Sequence, residues 1–65
     1  MKIMLNGAET EIAAARLADA LVELGYADAV VATAVNEEFV PKEARAEHEI
    51  APGDRLEVVA PLRGG

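Results

Sequence analysis

The sequence predicts an α+β fold in which one main helix packs across a small mixed sheet. Three observations carry that reading. Leu17, Leu21 and Leu24 recur at helical spacing, and runs with strand character flank them on both sides. The chain has 65 residues, and a domain of this size buries only roughly 60% of its unfolded surface, so there is room for one core. Laying a single helix on one sheet face buries the leucine stripe and the inward strand positions together.

The first element is a hairpin. In "KIMLN", Ile3 and Leu5 share a face, Asn6-Gly7 is a favoured two-residue turn pair, and in "GAETEI" Glu9 and Glu11 alternate with Thr10 and Ile12. From Ala13 to Leu24 the period changes to that of an amphipathic helix, with Arg16, Asp19 and Glu23 opposite the leucines. Its N-terminus has no good capping residue, whereas Gly25 is placed to stop it in a left-handed conformation.

"VVATAVN" is β-branched and apolar, which predicts a strand covered over much of its length, and "NEE" follows as a polar turn. Pro41 restricts Val40 to an extended conformation and can open a helical turn over "KEARA", so a brief strand and about one turn of helix are expected there. "APGD" is a turn by composition. "RLEVVA" then reads as a strand with Leu56, Val58 and Ala60 on one face and Arg55, Glu57 and Val59 on the other. Pro61 ends the pairing because it has no N–H to donate. Residues 1–60 are thus one domain, and 61–65 are expected to be a flexible tail ending in Gly-Gly.

Composition removes several function classes. The chain contains no cysteine, which excludes disulfides and thiolate metal sites. Its aromatics are Tyr26 and Phe39 alone, and its net charge is -6. Neither suits nucleic acid, which asks for stacking surfaces and cations for the phosphates. An acidic domain favours a protein partner with a basic docking surface, because complementary potentials speed encounter. No apolar run approaches the roughly 20 residues that span a bilayer, and "MKIMLN" is too short a stretch for a signal peptide. A cytoplasmic protein bound to no membrane is the expectation.

A search for catalytic chemistry yields little. His48, the only histidine, stands between Glu47 and Glu49, a pattern better read as surface than as a proton shuttle. There is no serine, and Thr10 and Thr33 have no evident base partner. The carboxylates of "NEE" and of Glu43, Glu47 and Glu49 lack the spaced-ligand loop of a cation site, so no metal is expected. Gly7 and Gly53 are single turn glycines with no phosphate cradle around them.

What remains is "PLRGG". At an ordinary glycine usage of about 7%, two adjacent glycines at a given position arise roughly 0.5% of the time. With no side chain on Gly64 or Gly65, an extended end carrying the Gly65 carboxylate can enter a narrow channel in another protein. Such a carboxylate becomes reactive once AMP is transferred to it from ATP, and sulfide can then displace the AMP. On physical grounds alone a plain flexible end is an equal reading.

Several residue patterns together resemble the ThiS-type sulfur carriers of thiamin biosynthesis, small proteins of the ubiquitin-like β-grasp fold. "VNEEFVPK" is similar to the family's valine-asparagine turn followed by valine-proline and a basic residue. "APGDRLEVVAP" is similar to its glycine-aspartate turn and last strand, and "GG" closes the chain. Lys42 departs from the commoner arginine, and "KEARA" lacks a tryptophan found in many relatives.

The resemblance implies a carrier that is itself no enzyme and binds no cofactor. A ThiF-type partner using ATP and magnesium would adenylate the Gly65 carboxylate, and sulfur from a cysteine-desulfurase route would convert it to a thiocarboxylate. A ThiG-type thiazole synthase would accept the sulfur. Gly64 would keep the end slim, Pro61, Leu62 and Arg63 would line the partner's channel, and Val59, facing away from the core, would belong to the docking surface. The alternatives are delivery to molybdopterin or another cofactor, or a ubiquitin-like modifier, since "LRGG" also ends ubiquitin.

Overall fold

Alternating side chains and two turns that demand left-handed backbone produce the strands of this protein. The computed structural model describes residues 1–60. Strands β1 (Lys2–Leu5) and β2 (Ala8–Glu11) form the expected hairpin. Its turn places Asn6 at φ 49° and Gly7 at φ 86°, the pair of positive values that matches the twist of a two-residue hairpin. Strands β3 (Ala32–Val35) and β4 (Glu38–Val40) form a second hairpin. Here the turn residues are Asn36 at φ 52° and Glu37 at φ 73°, and Glu37 is there without the freedom of glycine.

Strand β5 (Arg55–Val59) lies between the hairpins, giving the order β2-β1-β5-β3-β4. It runs parallel to β1 and antiparallel to β3, so the sheet is mixed. Helix α1 (Leu17–Glu23) covers one face. Leu17, Ala20 and Leu21 are buried with Ile3, Ile12, Val35, Val40, Ile50, Leu56 and Val58 in one core. This is the β-grasp arrangement implied by the resemblance.

The helix is shorter than the Ala13–Leu24 span its periodicity predicts, because the preceding segment is committed elsewhere. The N–H groups of Ala13 and Ala14 donate to the Glu23 carboxylate at 2.9 and 3.0 Å. The Ile50 N–H donates to the Ala15 carbonyl, and the Leu17 N–H to the His48 carbonyl. Arg16, in extended conformation, precedes the helix and makes no side-chain cap. At the other end Gly25 is at φ 94°. The Gly25 N–H donates to Val22 and the Tyr26 N–H to Leu21, the paired closure by which a glycine after the last turn satisfies free carbonyls.

Two further expectations change. The strand read over "VVATAVN" begins at Ala32, and Val30, expected to be covered, is 77% exposed. The turn expected after Pro41 is a 3₁₀ helix over Lys42–Glu47. From it Arg45 donates through Nε to Thr33 Oγ1 at 3.1 Å and through a guanidinium nitrogen to the Val31 carbonyl at 2.7 Å. Thr33 Oγ1 in turn donates to the Val40 carbonyl at 2.9 Å. The buried hydroxyl is thereby satisfied, as burial of a polar group requires.

Candidate functional site

Among the described residues, nothing covers the face of the sheet opposite α1, and strand alternation decides what it displays. On β5, Leu56 and Val58 point into the core, while Arg55, Glu57 and Val59 are exposed. Ala32 stands opposite Val59, and Ala34 stands opposite both Glu57 and Phe39. Phe39, Ala34, Ala32 and Val59 therefore lie diagonally across three strands as an apolar patch, with Phe39 68% and Val59 60% exposed. Around it the same face carries Lys2, Glu9, Glu11, Arg55 and Glu57.

Val59 thus lies on the face away from the core, where the sequence places it. Pro61, Leu62, Arg63, Gly64 and Gly65, the other predicted site residues, lie outside the described residues. Phe39 is not among the site residues that the sequence predicts. Its signal was the step from outward Phe39 to inward Val40 just before Pro41, the alternation that also identified Val59.

The strand that leads to the patch is held at both ends by asparagine side chains. Near its start, Asn36 Oδ1 accepts from the Arg55 N–H at 2.9 Å, and Asn36 Nδ2 donates to Asp54 Oδ1 at 3.0 Å. Asp54 Oδ2 also accepts from the Ala51 N–H at 2.8 Å, which ties the "APGD" turn to the β3–β4 turn. Near its end, Asn6 Oδ1 accepts from the Val58 N–H at 2.9 Å, and Asn6 Nδ2 donates to the Val58 carbonyl at 3.2 Å. In the sequence alone, both asparagines are legible only as turn formers.

The other candidates stay apart. His48 is half-buried at the end of the 3₁₀ helix, and its carbonyl is used by Leu17. Among the described residues no three His, Asp or Glu side chains converge as a metal site. On the helix side, a groove of about 510 Å³ opens between α1, the loop over 26–31 and the 3₁₀ helix, with Val22, Tyr26, Val30 and Lys42 along it. No helix among the described residues is long and apolar enough to cross a membrane.

Comparison with known proteins agrees with this architecture. A crystal structure of thiamine biosynthesis protein ThiS from Geobacter metallireducens superposes with a TM-score of 0.85 at 26% identity, over 100% of each chain. A solution NMR structure of a thiamine biosynthesis protein from the same organism gives 0.79 at 25% identity, over all of this chain and 88% of that one. A thiazole synthase of Paramagnetospirillum magneticum is 41% identical over 66 residues, covering the whole chain. The chain spans only 20% of that relative's length. The model of the ThiS family matches residues 3–65, so the chain belongs to the ThiS family.

Proposed function

We propose that this protein is a sulfur carrier whose Gly65 carboxylate is the reacting group. The observation that carries the reading is the family match over residues 3–65, which includes the paired glycines as well as the sheet. In the first step the carboxylate attacks the α-phosphate of ATP on an activating enzyme of the ThiF type. The products are an acyl-adenylate and pyrophosphate, with magnesium held by that enzyme. A sulfide equivalent from a cysteine-desulfurase route then attacks the activated carbonyl and expels AMP, leaving a thiocarboxylate.

The domain's own part is presentation, and it needs no catalytic residue. The Phe39–Val59 patch offers apolar area on the open face, at the end of the strand that leads to the tail. Exposed apolar surface rimmed by charge is the usual form of a protein docking site. Pro61, Leu62 and Arg63 would occupy the partner's channel, and Gly64 would keep its walls close. The name of the 41% identical relative supports a thiazole synthase as the acceptor of the sulfur.

Growth of a strain lacking the gene tests the pathway. Thiazole alone is expected to restore growth, and the gene carrying Gly64→Val to fail where the parent gene succeeds. A growth defect that thiazole leaves unchanged would overturn the assignment to thiamin biosynthesis.

A further inference from the structure

Val58 presents a backbone problem that the strands themselves leave unsolved. In the antiparallel β3–β5 pair, Asn36 donates its N–H to the Arg55 carbonyl at 2.8 Å, and hydrogen-bonded pairs recur at every second residue. Val58, opposite Thr33, falls between them, so its N–H and carbonyl point away from β3 and toward β1. The parallel pairing with β1 is already ending there: it runs only over Met4 and Leu5, opposite Arg55 and Leu56, and its last backbone bond is from the Asn6 N–H to the Leu56 carbonyl at 2.9 Å.

The side chain of Asn6 supplies the missing rung. Its amide has the same donor and acceptor as a peptide group, and it takes both polar groups of Val58 at 2.9 and 3.2 Å. The left-handed backbone at Asn6, φ 49°, turns the main chain back toward β2 while the side chain continues toward β5. A turn residue is thus bonded to a residue 52 positions away. The strand is held on both edges through Val58, three residues before Pro61.

We infer that Asn6 is a positioning residue for the C-terminal tail. By acting as a surrogate strand on Val58, it fixes the direction in which the chain leaves the sheet and so presents Gly65 to the activating enzyme. The inference rests on the proposed carrier function, and it concerns recognition of the carrier rather than the chemistry at its end.

Asn6→Gly is the informative variant, because glycine accepts the left-handed backbone and removes the amide without straining the turn. Asn6→Asp keeps the acceptor for the Val58 N–H while placing a second acceptor against the Val58 carbonyl. Ile12→Val, at a buried core position outside β5 and the apolar patch, is the control for a general loss of stability. Amide exchange followed by NMR should show faster exchange at Val58 and Val59 in Asn6→Gly, with Ile3 and Leu56 unchanged. Activation is read as ATP–pyrophosphate exchange on the ThiF-type enzyme, at a temperature where every variant is folded. There Asn6→Gly should raise KM for the carrier about tenfold with kcat within about twofold, a change of roughly 1.4 kcal/mol in recognition. Asn6→Asp should fall between it and the parent, and Ile12→Val should leave KM near the parent's. Unchanged exchange at Val58 and Val59, or equal KM values for Asn6→Gly and Ile12→Val, would overturn the inference. If the parent chain supports no exchange of pyrophosphate, the carrier reading itself falls, while the amide-exchange result still decides whether Asn6 holds the strand.

Discussion

Val58 and Val59 are adjacent on one strand and have the same side chain, yet one is 6% exposed and the other 60%. They belong to two different surfaces of the sheet. The inner surface, with Leu56, Val35 and Ile3, is closed by α1. The outer surface carries Phe39, Ala34, Ala32 and Val59 and nothing packs on it among the described residues. In so small a domain almost every inward position is needed for the core, so the proposed docking surface falls on the outward positions of the same strands. The β-grasp sheet divides its work by residue parity.

The largest expected effect lies on the inner surface. Leu56 is fully buried, and Leu56→Ala should cost about 2–5 kcal/mol in urea unfolding. A domain of this size has only about 3–10 kcal/mol in total, so the variant should be partly unfolded at 37 °C. The two valines give the sharpest contrast. Val58→Ala should lose about 2 kcal/mol of stability through two buried methyl equivalents, whereas Val59→Ala should stay within about 0.5 kcal/mol. Comparable losses at both positions would show that parity does not separate the surfaces.

On the outer surface, Phe39→Ala should leave the unfolding midpoint nearly unchanged and weaken binding to the activating enzyme about tenfold, the scale of an aromatic anchor. Titration calorimetry would measure it, and full affinity would remove Phe39 from the docking surface. The smallest effect is in the β3–β4 turn. Glu37 occupies a left-handed conformation at φ 73°, and Glu37→Gly should stabilise the fold by about 1 kcal/mol. Its exposed ion pair with Arg55, at 3.8 Å, contributes too little to reverse the sign.

Much of this could be read from the residues because local signals and tertiary structure agree. Asn6-Gly7 and Gly25 each demand a positive φ and receive it, and alternation in "RLEVVA" sorts core from surface through Val59. Ala60, expected on the core face, instead lies past the end of the strand and is exposed. The helix start is illegible because Ala13 and Ala14 have high helix propensity, while their actual partner is Glu23, ten and nine residues on. Val30 and Val31 looked like strand because β-branching registers the pleated surface but not where pairing stops. At the site, Val59 follows from strand parity, and the same parity places Phe39 outward beside inward Val40. The second role of Asn6 could not be seen, since the residue it holds is 52 positions away.

The most direct test is the intact mass of the chain ending at Gly65 after incubation with a ThiF-type activating enzyme, magnesium-ATP and a sulfide source. Exchange of one oxygen for sulfur, located by fragmentation on Gly65 and absent from a chain lacking that residue, is the predicted result. An unchanged mass, with an enzyme that loads its own carrier under the same conditions, would contradict the account.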